Sequence, residues 1–259
     1  MLREQVISAA ELINAAQHSV VLTGAGISTP SGIPDFRSPE CGLWVGVDPV
    51  AVASMYGFRQ NPAAFYEWVY PLVDVTIHAE PNAAHYALAA LEAHGKIAGV
   101  ITQNIDTLHT RAGNRVVHEL HGQFREATCT HCFEVFDAKP IIKQFLMDRQ
   151  VPHCPTCGGV IKPNVILFGE QLPIRPFMAA QDLARKADLI LIIGTSLEVA
   201  PASELPVLAR KNGAKIIIVN LEPTHLDSSA TLVIHADAAE VLPQIVKQME
   251  SIHEHDRQQ

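Results

Sequence analysis

Four cysteines in two short pairs, Cys129-Thr130-His131-Cys132 and Cys154-Pro155-Thr156-Cys157, are the residues whose type and spacing say most about chemistry. Each C-x-x-C turn presents two thiolates from one tight bend, and two such knuckles at this separation come close to the spacing of a zinc ribbon. Four thiolates close a tetrahedral site and leave no open position, so one zinc ion on Cys129, Cys132, Cys154 and Cys157 would be structural. A pair of redox dithiols is the alternative, against which the Gly158-Gly159 turn after the second knuckle speaks. His131 and His153 adjoin the cysteines and could stand in as ligands, although four thiolates leave them unnecessary. The fifth cysteine, Cys41, stands apart and reads as a small core residue.

A second group gathers where an apolar strand breaks into glycines. Ser19 to Thr23 runs into Gly24-Ala25-Gly26-Ile27-Ser28. Gly24 and Gly26 allow a tight turn whose backbone N–H groups can approach a pyrophosphate, which the N-terminus of a following helix would also favour. The dinucleotide fingerprint is incomplete, because Thr29 stands at its third glycine and no acidic residue closes a strand about 20 positions further on. Pro30, Pro34 and Pro39 forbid a long helix. The expectation is a modified nucleotide site with a loop in place of the first helix; the plain alternative is a glycine turn between core elements. Downstream, the apolar strand Ile97 to Thr102 opens onto Gln103-Asn104-Ile105-Asp106, at the strand end where open α/β sheets place their chemistry. Asn104 and Asp106, two apart on an extended segment, face one way and can reach a common ligand, or form an Asx turn that caps the next helix. His121, in His118-Glu119-Leu120-His121-Gly122, falls at the junction with the cysteine-rich insert, the kind of place where clefts form. A neutral imidazole there can take a proton from a ribose hydroxyl, although a single histidine is more often structural.

The elements that must position these groups read as an α/β alternation. Asn82 to His94 carries Ala84, Leu88 and Leu91 on one helical stripe and ends at Gly95. A helix over Ala179 to Arg185, strand Leu189 to Ile193, Gly194-Thr195-Ser196, a helix through Arg210 and strand Lys215 to Val219 into Asn220-Leu221-Glu222 continue the pattern. The fold class is therefore a Rossmann-like doubly wound parallel sheet, with a smaller domain made of a zinc ribbon and a helical cap. The expected division is a discontinuous sheet domain over 1–31, 87–122 and 169–259, a cofactor loop and helical module over 32–86 and a zinc-ribbon module over 123–168. Within the helical module, Cys41 to Asp74 is aromatic-rich and broken by Pro49, Pro62 and Pro71, which predicts only short helices.

Composition bounds the function. At 259 residues and 48% hydrophobic, the chain can bury a sizeable core. Its formal net charge of -8 supplies no general attraction for nucleic acid or an anionic membrane. Its apolar runs are strand-length, far short of the roughly 20 residues that span a bilayer. Two C-x-x-C pairs suit a reducing compartment, so a cytoplasmic location is expected.

The ordered set Gly24-Ala25-Gly26-Ile27-Ser28, Pro34-Asp35-Phe36-Arg37, Thr102-Gln103-Asn104-Ile105-Asp106, Leu120-His121-Gly122, the four cysteines, Phe168-Gly169-Glu170 and Gly194-Thr195-Ser196 resembles the sirtuin family, from about Leu12 to about Leu242. The resemblance implies NAD-dependent removal of acetyl and other short neutral acyl groups from protein lysine, giving nicotinamide, the free lysine and O-acyl-ADP-ribose. It implies that His121 is the general base on the nicotinamide ribose and that Asn104 orders that ribose and a water. Ile105 and Asp106 would hold the carboxamide, and the loop with Asp35, Phe36 and Arg37 would cover the nicotinamide end. Gly24, Ala25, Gly26, Ser28, Gln103, Gly194, Thr195 and Ser196 complete the implied NAD contacts, with Asn220, Leu221, Glu222 and Ala238 towards the adenosine. Two edges, Val165, Ile166 and Phe168 on one side and Glu198 and Val199 on the other, would pair the substrate backbone as an added strand.

The chain departs from the family pattern at Leu167, where many members carry an aromatic, and at Lys162-Pro163, where Arg-Pro is commoner. Family members that prefer acidic acyl chains resemble one another in a Tyr-x-x-Arg pair. Here Tyr66 is present but Val69 stands at the arginine, so neutral acyl groups are expected, acetyl first. Rival functions are protein ADP-ribosyl transfer and a non-catalytic NAD-sensing module whose zinc ribbon binds nucleic acid; a hydride-transferring dehydrogenase is weaker again.

Overall fold

Short apolar runs between amphipathic helices leave each strand two faces to bury, and the chain answers with a parallel sheet covered by helices. The computed structural model describes residues 2–36 and 42–257, with side chains to 251. Its strands are β1 (Ser19–Thr23), β2 (Val100–Thr102), β3 (Val117–Glu119), β4 (Gly122–Cys129), β5 (Val135–Asp137), β6 (Ile161–Val165), β7 (Leu189–Ile193), β8 (Lys215–Val219) and β9 (Leu232–Ile234). Its helices are α1 (Leu2–Ala15), α2 (Pro49–Ala53), α3 (Met55–Gln60), α4 (Pro62–His78), α5 (Ala83–Ala93), α6 (Leu108–Ala112), α7 (Ala138–Asp148), α8 (Ile174–Lys186), α9 (Leu205–Lys211) and α10 (Ala238–Arg257).

Six strands form one all-parallel sheet in the order β3-β2-β1-β7-β8-β9. The chain winds outward one way from β1 and the other way from β7, so the order reverses between these two central strands. In open α/β sheets that reversal leaves a crevice at the carboxyl ends of the strands. Every residue of β1 and β7 is buried. Val6 and Ile13 of α1, Leu88 of α5 and Leu242 and Ile245 of α10 pack with Val21, Leu191 and Ile217 into one core. Each such fully buried aliphatic side chain is worth about 1.5–3 kcal/mol. This sheet unit comprises the described residues up to Ser31, Glu80–Leu120 and those from Arg175 on.

The second unit, Gly32–Ala79 with His121–Ile174, holds the antiparallel sheet β5-β4-β6, helix α7 and helices α2 to α4. Its sheet core is small: Ala127, Cys129, Ala138, Cys154 and Ile161. Here the structure corrects the expectation of only short helices, because α4 runs for 17 residues straight through Pro71. Pro71 lies on the exposed face, where the carbonyl it leaves unpaired can bond to water, while Phe65, Tyr66, Val69 and Val73 bury the opposite face. β7 and β8 span the expected residues, and α5 is capped by Asn82 at its start and His94 at its end, with Gly95 left-handed beyond it, whereas β2 keeps only Val100–Thr102 of the strand expected from Ile97 and α8 begins at Ile174 rather than Ala179. No helix among the described residues is long and apolar enough to cross a membrane.

Candidate active site

The glycine loop after β1 and the loop after β7 lock together at the point of strand reversal. The N–H of Gly24 donates to Ile193 O at 3.1 Å and that of Gly26 to Gly194 O at 2.8 Å. A Cβ on Gly24 would lie 2.6 Å from Cβ of Thr195, and one on Gly194, where φ is +60°, would collide with the backbone nitrogen of Ile27. The glycines therefore bring two loops into contact, and the N–H groups of Gly24 and Gly26 themselves are spent there. Where the standard fingerprint has its first helix stands only a three-residue 3-10 turn, Ala25–Ile27, in keeping with the loop expected there. Gln103 joins the same cluster, its Nε2 donating to Thr195 Oγ1 at 3.0 Å, and Ser196 follows half-buried.

Beneath that loop lies a buried polar floor. Ser28, Asn104 and Asp106 are 1%, 9% and 7% exposed. The Ser28 hydroxyl donates to Asp106 Oδ2 at 2.6 Å and accepts from Asn104 Nδ2 at 3.1 Å, which also donates to Gly24 O at 3.0 Å. Asn104 and Asp106 thus share a partner within the protein, Ser28. Asp106 also forms the Asx cap, its Oδ1 accepting the Leu108 N–H at 2.9 Å. Ile105 between them is half-buried. Burial pushes the Asp106 carboxyl above its ordinary pKa, and nearby Glu119 adds to this, against the hydrogen bonds from Ser28 and Leu108.

Two histidines that sequence reasoning passed over complete the floor. The ring centroids of His85 and His109 lie 4.9 Å apart, and both side chains are buried. His85 Nδ1 accepts the Asn82 N–H at 3.3 Å, so its neutral ring carries the proton on Nε2, 3.5 Å from Ser28 Oγ. His109 Nε2 meets Thr23 Oγ1 at 2.9 Å, and that hydroxyl donates to Thr102 Oγ1 at 2.8 Å. Burial lowers the pKa of His85 to about 4 and that of His109 to about 3, so both are neutral near pH 7. The available signal was Asn82-x-x-His85, the spacing of a reciprocal helix cap.

The residues expected at the adenosine end, Asn220, Leu221, Glu222 and Ala238, lie beyond β8 in the same unit. Asn220 Nδ2 donates to Glu222 O at 2.6 Å, and Leu221 is 65% exposed. Ala238 opens α10 with its side chain buried in the core, so only its backbone can face a ligand.

In the second unit, His121 is half-buried at the entry to β4, and its carbonyl accepts the Ile166 N–H at 2.8 Å. Gly122 has φ +79°, and a Cβ there would collide with Asn164 O. The segment Val165 to Phe168 is heavily committed. Lys162 Nζ bonds Val165 O at 2.7 Å and Glu170 at 3.0 Å, and Glu170 accepts the Leu167 N–H at 2.8 Å. Phe168 exchanges both backbone groups with Ala53 and Met55, each at 2.9 Å. Among the described residues, Ile166 O is the one backbone acceptor from Ile166 to Phe168 without a partner. The expected edge thus offers one acceptor rather than a ladder. Burial lowers the pKa of Lys162, with Glu170 opposing that shift. The other edge, Glu198 and Val199, belongs to the sheet unit and follows Leu197, whose φ is +58°. Asp35 and Phe36 pair with the returning chain through Leu43 N–H to Asp35 O at 2.9 Å and Trp44 N–H to Phe36 O at 3.1 Å. Arg37 and Cys41 lie outside the described residues.

The four cysteines form one cluster, with all Sγ atoms within 4.8 Å of one another. The near pairs cross between knuckles, Cys129 to Cys157 at 3.5 Å and Cys132 to Cys154 at 3.7 Å. These are too long for disulfides and close to the ~3.8 Å edge of a tetrahedron with ~2.3 Å Zn–S bonds. Gly159 makes room, since a Cβ there would sit 2.9 Å from Cys129 Sγ. This donor set fits one structural zinc ion and offers no open coordination position.

Residues 24–201 match the profile of the Sir2 family. The chain belongs to the Sir2 family. Over 252 residues it is 46% identical to the NAD-dependent protein deacylase 2 of Archaeoglobus fulgidus, covering 97% of this chain and 98% of that one. The NAD-dependent protein deacetylase of Sulfolobus acidocaldarius is 42% identical over 250 residues, 96% of this chain and 97% of that one. A Sir2 enzyme structure solved to explain mechanism and regulation superposes with TM-score 0.91 at 46% identity, covering 96% of this chain and 99% of the other. Sir2Af2 bound to a myristoylated histone peptide gives TM-score 0.84 at 41% identity, covering 97% and 99%.

Proposed function

We propose that this member of the Sir2 family removes acetyl and other short neutral acyl groups from protein lysine at the expense of NAD, releasing nicotinamide and O-acyl-ADP-ribose. The observation that carries the reading is the closed polar floor of Ser28, Asn104 and Asp106 beneath the glycine loops at the point of strand reversal. Such a floor supplies fixed donors and acceptors for a carboxamide without reorganisation.

NAD supplies a leaving group, nicotinamide, and the ribose carbon that receives the acyl oxygen. Asp106 and the backbone of Ile105 hold the carboxamide, and Asn104 orients the ribose. Gln103, Gly194, Thr195 and Ser196 face the phosphates and ribose, while Asn220, Leu221, Glu222 and Ala238 serve the adenosine end. Phe36 and Arg37 exclude water. His121 would take the proton from a ribose hydroxyl, so that the hydroxyl could attack the acyl carbon; the carbon–nitrogen bond to lysine would break, the amine would leave with a proton, and one water, ordered by Asn104, would complete O-acyl-ADP-ribose. The carbonyl of Ile166 accepts an N–H of the acylated lysine, and Glu198 and Val199 pair the peptide as a partial added strand. Thiolate ligation of zinc supports a reducing compartment, the cytoplasm.

Tyr66 donates its hydroxyl to Ile161 O at 2.5 Å and Val69 is 3% exposed, and both line a small apolar cavity shared with Phe145 of α7 and Pro163 of β6, away from the Ile166 carbonyl in sequence. Neutral acyl chains are instead supported by the rings on the adjacent face of α4.

The test is nicotinamide release from NAD with and without an acetyl-lysine peptide, products weighed by mass spectrometry. Peptide-dependent release with O-acetyl-ADP-ribose is expected. Release without peptide, with ADP-ribose attached to protein, would replace the reading by ADP-ribosyl transfer.

A further inference from the structure

Paired residues of a parallel sheet share a face, and one row across the six strands reads Glu119, Thr102, Thr23, Ile193, Val219 and Ile234 from β3 to β9. On β7, β8 and β9 that row is aliphatic and fully buried. On β1 and β2 it is threonine, 0% and 3% exposed, where valine would offer the same branched shape and bury no polar atom. Packing alone therefore gives no reason for these two hydroxyls.

Their hydrogen bonds do. Thr102 Oγ1 accepts the Asn104 N–H at 3.0 Å and the Thr23 hydroxyl at 2.8 Å, and Thr23 Oγ1 meets His109 Nε2 at 2.9 Å. A hydroxyl has one proton, so Thr23 donates to Thr102 while the His109 ring carries its own proton on Nε2 and donates to Thr23. Burial, with the His85 ring alongside, keeps His109 neutral near pH 7. His109 stands on α6, and the N–H that opens α6, that of Leu108, is held by Asp106. Asp106 accepts from Ser28, Ser28 accepts from Asn104 Nδ2, and the Asn104 N–H returns to Thr102. These contacts close a ring around the floor. Asn104 is gripped at both ends, its side chain by Ser28 and Gly24 and its main chain by Thr102.

We infer that Thr23, Thr102 and His109 are positioning residues, which hold the backbone of Asn104, and so the floor, rigid for the bound cofactor. For its kinetic consequence the inference rests on the deacylase reading, whereas the grip on Asn104 does not. Replacing both partners of a buried hydrogen bond by apolar groups of the same shape is nearly neutral for stability. The fold can therefore do without the Thr23–His109 pair, and what the pair supplies is rigidity. A misplacement of about 1 Å can cost about 10²-fold in rate.

The test deletes that pair with Thr23→Val/His109→Leu and keeps the hydroxyl in Thr23→Ser, each in the full chain with its zinc. Melting temperature, hydrogen exchange of the Asn104 amide by NMR, and kcat and KM for NAD and for one acetyl-lysine peptide are measured. In the double variant the melting temperature should hold or rise, while the Asn104 amide exchanges at least about tenfold faster. Its kcat/KM for NAD should fall at least about tenfold, with KM for the peptide within about threefold. Thr23→Ser should restore both exchange and kcat/KM to within about threefold of wild type. A folded double variant whose exchange or whose kcat/KM for NAD stays at the wild-type value overturns the positioning role. So does a double variant that fails to fold together with a Thr23→Val single variant that also fails, because the hydroxyls would then serve stability. If Thr23→Val alone folds, its exchange and kcat/KM decide by the same criteria. No turnover of the acetyl peptide by the wild-type chain overturns the deacylase reading, and exchange at Asn104 still decides the grip.

Discussion

The floor of the sheet unit and the zinc knuckles of the small unit solve the same problem, holding polar atoms in fixed places, by opposite means. Around Ser28 the sheet unit buries hydroxyl, amide, carboxyl and imidazole groups and pairs them largely with one another, while His109 Nδ1 has no hydrogen-bond partner. It can do so because strands and helices behind them form a large apolar core. The zinc knuckles have only a handful of small buried residues behind them, and there the thiolates must be drawn together by a metal. A large core tolerates a demanding polar network; a small one needs a cross-link.

Breaking the cross-link should have the largest effect. Structural zinc binding is worth about 10–16 kcal/mol, so Cys129→Ser or strong chelation should unfold the small unit and abolish turnover. Circular dichroism and metal analysis check this, and active protein without zinc would remove the contrast between the units. Next is His121→Ala, which should lower kcat by about 10²–10⁴ with zinc content and melting temperature unchanged. A melting temperature that collapses with activity would assign His121 to structure instead.

Within the floor, Ser28→Ala strips Asp106 and Asn104 of a shared partner. A loss of about 1–3 kcal/mol in stability is expected, together with a raised KM for NAD, read by urea unfolding and initial rates. Of similar size but graded is the effect of pH. His85 and His109 stay neutral in the fold down to about pH 4 and about pH 3, whereas the unfolded chain takes up their protons below about 6.5. Stability contributed by these two is therefore full above pH 6.5 and falls as pH drops from there towards 4, by about 1.4 kcal/mol per unit for each. Asp106, whose pKa is raised, acts in the opposite sense at the acid end. Urea midpoints from pH 7.5 to 5 should show the decline, and His85→Gln should make it shallower.

The sequence by itself determined what depends on near neighbours in the chain. Two C-x-x-C turns specify a thiolate set through local geometry, and the runs Leu189 to Ile193 and Lys215 to Val219 are strands because their apolar residues need two buried faces. Asn82 and Gly95 punctuate α5 for equally local reasons. The tertiary structure alone decided what depends on which surfaces meet. Ser28 reaches Asp106 across 78 positions and Thr23 reaches His109 across 86, so no spacing rule announces that these groups share a floor. The N–H groups of Gly24 and Gly26 turned out to be spent on the loop after β7, the edge from Ile166 to Phe168 to offer a single carbonyl, and Pro71 to sit harmlessly on the wet face of α4. Hydrogen-bond partners, burial and ring stacking are properties of contacts between distant segments, and periodicity along the chain carries no record of them.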